Sequence, residues 1–338
     1  MHNIDLSKYD IRTDIALDQI ETEKEKYVIN ETSFNDVKVT DIDINKENNI
    51  GKKEGKYVTL EFNDITDSDY QLKVQSALES ELIKMFKFMK INDKMKCLVI
   101  GLGNVKSTPD SLGPLVTDKI IVTKHFFDMN LDVEKNFSNV SIITPGVTGT
   151  TGIETSDFIN GVIKQTNPEF VIVIDALAST AIERVNRSIQ ISNAGIVPGS
   201  GVGNKRKEIS KVTLNVPVIA IGVPTVVDAS VIVSDTINYM VKHYAYNKKF
   251  LNTNAAKFVT KPVNYLNKNV KEDNKDRESL LGLVGKLSKE DLSTLIYEVL
   301  SPVGYNFMVT PKEIDFVIEK LSVIISGALN AVLHKIRQ

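Results

Sequence analysis

Two stretches decide the fold: Cys97-Leu98-Val99-Ile100-Gly101-Leu102-Gly103-Asn104-Val105-Lys106-Ser107-Thr108-Pro109-Asp110 and Phe170-Val171-Ile172-Val173-Ile174-Asp175. Each opens on an unbroken apolar run of strand length. Continuous rather than alternating hydrophobicity is what a strand covered on both faces needs. The first run passes into a loop of glycine and polar residues, then into a helical pattern reaching about Phe127. The theme recurs. Val140–Ile143 leads through Thr144–Gly152 into a helix ending near Gln165, and Val218–Ile221 leads through Gly222–Pro224 into a helix over Ala229–His243. Parallel strands need such helical crossovers. The pattern predicts an α/β fold, a mostly parallel twisted sheet with helices on both faces.

Around this centre, Val37–Val39 and Tyr57–Phe62 alternate like strands, and the apolar positions from Leu72 to Met89 keep a helical period. Residues 245–277 are rich in Asn and Lys and end in a charge run, which reads as a linker or surface excursion. Beyond it Thr310-Pro311-Lys312-Glu313 has the form of a capping box before an apolar helix. The expected division is a polar leader over 1–14, an α/β core with a strand-rich start over 15–245, a linker over 246–277 and C-terminal helices over 278–338.

Composition narrows the function. The one cysteine, Cys97, stands inside an apolar strand, so it reads as core rather than as a nucleophile and suits a reducing compartment. The N-terminus lacks a basic start and an apolar stretch, and the longest apolar run, 217–233, is broken by Gly222, Pro224 and Asp228. A cytoplasmic protein without membrane contact is expected. Basic residues are scattered with few aromatics among them, so direct nucleic-acid binding is poorly supported. Residues 1–70 hold 17 acidic against 9 basic side chains, either ordinary surface or a segment that competes for a basic face.

Ligand crevices in open α/β sheets lie beyond the carboxyl ends of the strands. Asp110 and Asp175 both fall there, and a pair of carboxylates can deprotonate a water and return a proton to a leaving amine. Asp110 reads equally well as a helix N-cap, and Asp175 also as a strand-end turn residue. The glycine segments 101–106 and 199–206 lack the full dinucleotide and P-loop signatures, leaving nucleotide binding as a weak rival to close backbone approach. The four histidines are dispersed and no Gly-x-Ser-x-Gly elbow occurs, so neither a zinc site nor a serine triad is expected. No metal and no cofactor is assigned.

At these same loops the sequence resembles the germination proteases of spore-forming bacteria. The resembling stretches are Val99–Asn104 with Thr108–Pro114, Gly152–Asp157, Ile174–Ala178, Pro198–Arg206, Pro217–Ala229 and Asn306–Glu313, and the likeness runs from about Leu6 to the end. It implies an aspartic-type endopeptidase that degrades small acid-soluble spore proteins in the spore core, assembled as a homotetramer. It implies Asp110 and Asp175 as the catalytic pair. Gly103, Asn104, Glu154, Gly201, Lys205 and Arg206, in the resembling loops, are candidates for lining the cleft, the two basic residues attracting acidic cleavage sites. It further implies a self-cleaved propeptide over 1–14, cut between Asp14 and Ile15, where Ile15 replaces the usual leucine. Asn215 stands where a glycine is usual. The same positions resemble those of hydrogenase maturation endopeptidases, similar in fold, which makes a metal-dependent maturation peptidase the rival enzyme.

Overall fold

A computed structural model describes residues 13–20, 27–48, 50–131, 133, 136–199, 206–251, 273–300 and 307–335. The apolar runs become β4 (Cys97–Gly101), β6 (Phe170–Ser179) and β8 (Val218–Asp228), joined by β5 (Val140–Ile143) as a parallel set. β1 (Ile29–Phe34), β2 (Val37–Ile44), β3 (Gly55–Glu61) and β7 (Ser188–Ser192) extend it antiparallel. The order is β1-β2-β3-β7-β8-β6-β4-β5. The expected parallel sheet is therefore one half of a mixed sheet. In the other half a two-residue turn joins β1 to β2, while β7 reaches β3 and β8 from far along the chain.

The helices are α1 (Ala16–Ile20), α2 (Ser68–Phe88), α3 (Leu112–Thr117), α4 (Lys124–Asp128), α5 (Thr148–Thr151), α6 (Thr155–Thr166), α7 (Lys211–Leu214), α8 (Ala229–Leu251), α9 (Asn274–Leu281), α10 (Lys289–Leu300) and α11 (Ile314–His334). Strand alternation sends Val99, Ile172, Ile174, Ile219 and Ile221 to one face, under α2, α3 and α11. Leu98, Ile100, Val171, Val173 and Val218 go to the other, against Ile159 and Ile163 of α6. Helices thus cover both faces, as the continuous apolar strands require. α11 is long and apolar enough to cross a membrane. Its buried side, Ile318, Leu321, Ile325 and Leu329, belongs instead to the main core.

Several boundaries differ from the sequence expectation. β6 does not end before Asp175, and Gly222–Pro224 is no turn, because the two strands pair on from Asp175↔Gly222 to Ser179↔Val227. A bulge after Leu177 and Pro224 lets the strand tolerate a residue without an N–H. The helix expected up to Phe127 is split into α3 and α4. Between them Thr123 is drawn to β5, its N–H donating to Val140 C=O and its hydroxyl to Ser138 C=O. Thr310 does not cap α11, whose N-cap is Glu313; its hydroxyl is spent on Thr225 C=O at 2.8 Å. Asn215 has φ 58°, the left-handed backbone that asparagine adopts more readily than most residues.

The chain divides into two compact units, Arg12–Val227 with Thr310–Gln338, and a second containing Asp228–Val309. The second is helical: α8 packs with α9 and α10, Lys248 pairs with Asp276 at 2.8 Å, and Ser230 meets the Tyr297 hydroxyl at 3.1 Å. Helix α8 runs through the boundary expected at 245, and α11 is part of the core unit, because its apolar face completes the layer over the sheet.

Candidate active site

Asp110 is held by close backbone contacts. A Cβ on Gly113 would lie 2.2 Å from Leu102 O, and one on Gly101 would lie 2.4 Å from Gly113 O. Gly103 has φ +112°, and its Cβ would lie 2.0 Å from Asp110 O. The glycines are present so that the loop can fold flat onto the start of α3. That is the close-approach role rather than a phosphate cradle. The folded loop is pinned by Asn104 N–H to Asp110 C=O at 2.8 Å, Asp110 N–H to Ser107 C=O at 2.8 Å and Thr225 hydroxyl to Pro109 C=O at 2.7 Å. Asp110 closes a short 3-10 turn, Thr108–Asp110, and the N-cap of α3 is Ser111. The capping alternative for Asp110 therefore fails. Gly103→Ala is expected to displace Asp110 by about an ångström and lower peptidase turnover about a hundredfold. Turnover per folded molecule measures this, and an unchanged rate would show that the loop has room to spare.

Asp175 sits within β6, one residue past the pairing of Ile174 with Gly101, and is 4% exposed. Leu102 N–H donates to Ile174 C=O at 2.8 Å, tying the Asp110 loop to this strand. Burial drives the Asp175 carboxyl well above the usual carboxylate range, and the charges of Asp110 and then Asp14 drive it further. Among the described residues it accepts from Ala176 N–H, at 3.0 Å. Asp110 is pushed up to about 6, chiefly by burial, while the Asn104 backbone N–H and the Arg206 guanidinium oppose the rise. Two like charges in a poorly solvated place keep one proton between them near neutral pH. Such a pair offers a base on Asp110 and an acid on Asp175.

A third carboxylate enters from the N-terminal segment. Asp14 N–H donates to Ala178 C=O at 3.0 Å, and Ala178 N–H donates back to Asp14 Oδ2 at 2.9 Å, three residues beyond Asp175. The Lys52 ammonium donates to Thr13 C=O at 2.9 Å. Burial pulls the Lys52 pKa down against the opposing charges of Asp14 and Asp18. Past Asp14 the chain is anchored firmly: Ile15, Ala16, Leu17 and Ile20 are buried with Ile42, Ile44, Tyr57 and Leu177.

Of the residues proposed from sequence, Gly103, Asn104 and Arg206 stand by Asp110, the charges of Asp110 and Asp14 act on Asp175, and Ile15 packs in the cluster that holds Leu177. Arg206 also donates to the Thr148 hydroxyl. Glu154 is half-buried before α6 and accepts from Lys207 N–H at 3.4 Å, with no hydrogen bond to either aspartate. Gly201 and Lys205 lie outside the described residues. Lys52, Arg184 and Gln190 were not foreseen. For Gln190 the sequence offers only the alternation of Ser188, Gln190 and Ser192 with Ile189 and Ile191, a strand with one polar face, and the burial of all five appears in the structure alone. Among the described residues no group of three or more His, Cys, Asp or Glu is arranged to hold a metal.

The sequence model for germination protease matches residues 7–338. The chain is 47% identical over 350 residues to the germination protease of Bacillus thuringiensis subsp. konkukian, covering 98% of this chain and 95% of that one. With the Bacillus velezensis germination protease it shares 45% over 354 residues, 99% of this chain and 96% of that one. A NiFe hydrogenase maturation protease HycI from Thermococcus kodakarensis KOD1 aligns over 39% of this chain and 75% of its own, 17% identical with a TM-score of 0.27. A superposition that slight carries no argument about fold or function. The sequence matches make the chain a peptidase acting in spore germination. It belongs to the germination protease family.

Proposed function

We propose that this peptidase is an endopeptidase of the aspartic type, made as a zymogen that cuts itself between Asp14 and Ile15. Its substrates are the small acid-soluble proteins of the spore core, and it works there as a homotetramer. Asp110 takes a proton from water, the water oxygen attacks the peptide carbonyl carbon, and Asp175 gives its proton to the leaving nitrogen as the C–N bond breaks. The products are a carboxylate and an amine. The observation that carries the reading is Asp14 itself. The residue before the expected cut is paired with Ala178 of β6, near enough for its charge to act on Asp175.

Holding the purified chain under activating conditions and measuring its mass tests self-cleavage. Loss of residues 1–14 with a new terminus at Ile15 is expected, and an intact chain or a cut made only by an added protease overturns it. Catalysis should also follow the protonation of the pair. Since Asp110 must be ionised and its pKa lies near 6, kcat/KM for a peptide substrate should rise through about pH 6. It should fall again where Asp175, held well above the usual range, loses its proton. A profile flat from pH 5 to 8 would remove Asp110 as the base.

A further inference from the structure

We infer that Gln190 is a third working residue of the cleavage site, one that holds the scissile peptide by both its carbonyl and a neighbouring amide. The inference rests on the Asp14–Ile15 cut proposed above. Gln190 lies on β7 opposite Gly222 of β8, and Gly222 lies opposite Asp175 of β6. The three residues form one row across adjacent strands, so their side-chain positions share a face of the sheet. With strands about 4.8 Å apart, Asp175 and Gln190 stand roughly 10 Å apart in backbone, with a glycine between them. The Leu177 side chain lies over that glycine, where a Cβ would come within 2.3 Å of its Cδ1, so it stands between the carboxyl and the carboxamide.

The N-terminal segment lies at the Gln190 end of this row and pairs with Ala178, three residues beyond Asp175. Gln190 Nε2 donates to Asp14 C=O at 3.1 Å, and Gln190 Oε1 accepts from Ala16 N–H at 2.7 Å. Asp14 C=O is the carbonyl whose carbon the water must attack. The other end of the same peptide unit is also held, Ile15 N–H donating to the Thr13 hydroxyl at 3.1 Å. Gln190 is 7% exposed, so its amide works in a place from which water is largely excluded. When the carbonyl carbon becomes tetrahedral its oxygen takes up negative charge, and a fixed N–H donor at about this distance then binds more strongly than it bound the neutral carbonyl. The Oε1 contact meets a backbone amide, which every non-proline residue offers. The carboxamide therefore reads main chain, whatever side chains the held segment carries.

Three variants separate this from a structural role: Gln190→Met, which keeps the length and loses both hydrogen bonds; Gln190→Glu, which keeps the acceptor but sets a carboxylate against the developing oxyanion; and Gln190→Asn, which keeps both groups but falls short. Self-processing is followed by intact mass, and the fold by thermal melting of the same samples. Expected are first-order rates in the order Gln, Asn, Met, Glu, with Met slower than wild type by roughly a hundredfold to a thousandfold. Melting temperatures should not follow that order. A Gln190→Met chain that melts like wild type and processes within about threefold of its rate overturns the inference, as does a rate loss that tracks melting temperature through the series. Should wild type be cut at a bond other than Asp14–Ile15, the self-cleavage reading falls and takes this inference with it. A correct wild-type cut with indifferent variants sinks the role of Gln190 alone.

Discussion

Asp110→Asn and Asp175→Asn are each expected to fold, and to lose self-processing and peptide cleavage together by roughly a hundredfold to ten-thousandfold. Asparagine keeps the shape and part of the hydrogen bonding but accepts and gives no catalytic proton. The stability of the first variant supplies an independent check, because the sign of the effect is unusual. The Asp110 pKa rises from an ordinary 3.8 in the unfolded chain to about 6 in the fold. A raised carboxyl pKa means that ionised Asp110 opposes folding. Its stabilising balance is complete below about pH 3.8 and is lost as pH rises through about 6. Asp110→Asn should therefore gain stability relative to wild type above pH 6, on the order of 1–2 kcal/mol once solvent screening at a partly exposed site is allowed for. Denaturant melts at pH 4 and pH 8 would measure it. A variant that processes itself at the wild-type rate would reduce Asp110 to a structural residue. One that is destabilised at pH 8 would show that its carboxylate serves the fold.

The second large effect belongs to Arg184, at the end of a short 3-10 turn, Ile182–Arg184. Its Nη1 meets Asp18 Oδ1 at 2.7 Å with both side chains almost wholly buried, and its Nε donates to Glu61 Oε1 at 3.0 Å. Asp18 Oδ2 also accepts from the Thr13 hydroxyl at 2.6 Å, the Ser179 hydroxyl at 2.7 Å and Thr180 N–H at 2.8 Å. This network fastens the segment downstream of the proposed cut to the end of β6. Removing one partner leaves the other charge buried without compensation, so Arg184→Met should cost about 3–5 kcal/mol and lower the melting temperature by on the order of 10 °C. The double variant Arg184→Met with Asp18→Leu should recover much of the loss, since the fully buried Asp18 charge goes with its partner and the remaining Glu61 is partly exposed and still near Lys38. Self-processing should slow in the single variant for the same reason, as the segment is no longer fastened to the end of β6. A single variant within 1 kcal/mol of wild type would mean that the network contributes little beyond packing.

Much of this protein was decided by local sequence. Unbroken apolar runs such as Val171–Ile174, alternating with helical patterns, fit strands covered on both faces with their following residues at one end of a parallel sheet. Asp110 was legible as a candidate for that reason and Asp175 as the residue after its apolar run, although β6 continues through it; Gly101 and Gly103 marked the close approach that holds the first of them. What the sequence could not reveal depended on partners distant along the chain. The antiparallel half of the sheet, the length of β6 and β8, and the fate of Thr310 were each settled by which strand or carbonyl stood opposite. So was the place of Gln190. Its alternation with Ile189 and Ile191 predicts only a strand with one polar face. Hydrogen bonds to Asp14 and Ala16, 176 and 174 residues away, turn that polar face into part of a site. Periodicity is a property of neighbours a few residues apart and survives in the sequence alone. The meeting of Asp14, Asp175 and Gln190 exists only after hydrophobic burial has stacked three separate strands and laid the N-terminal segment across them.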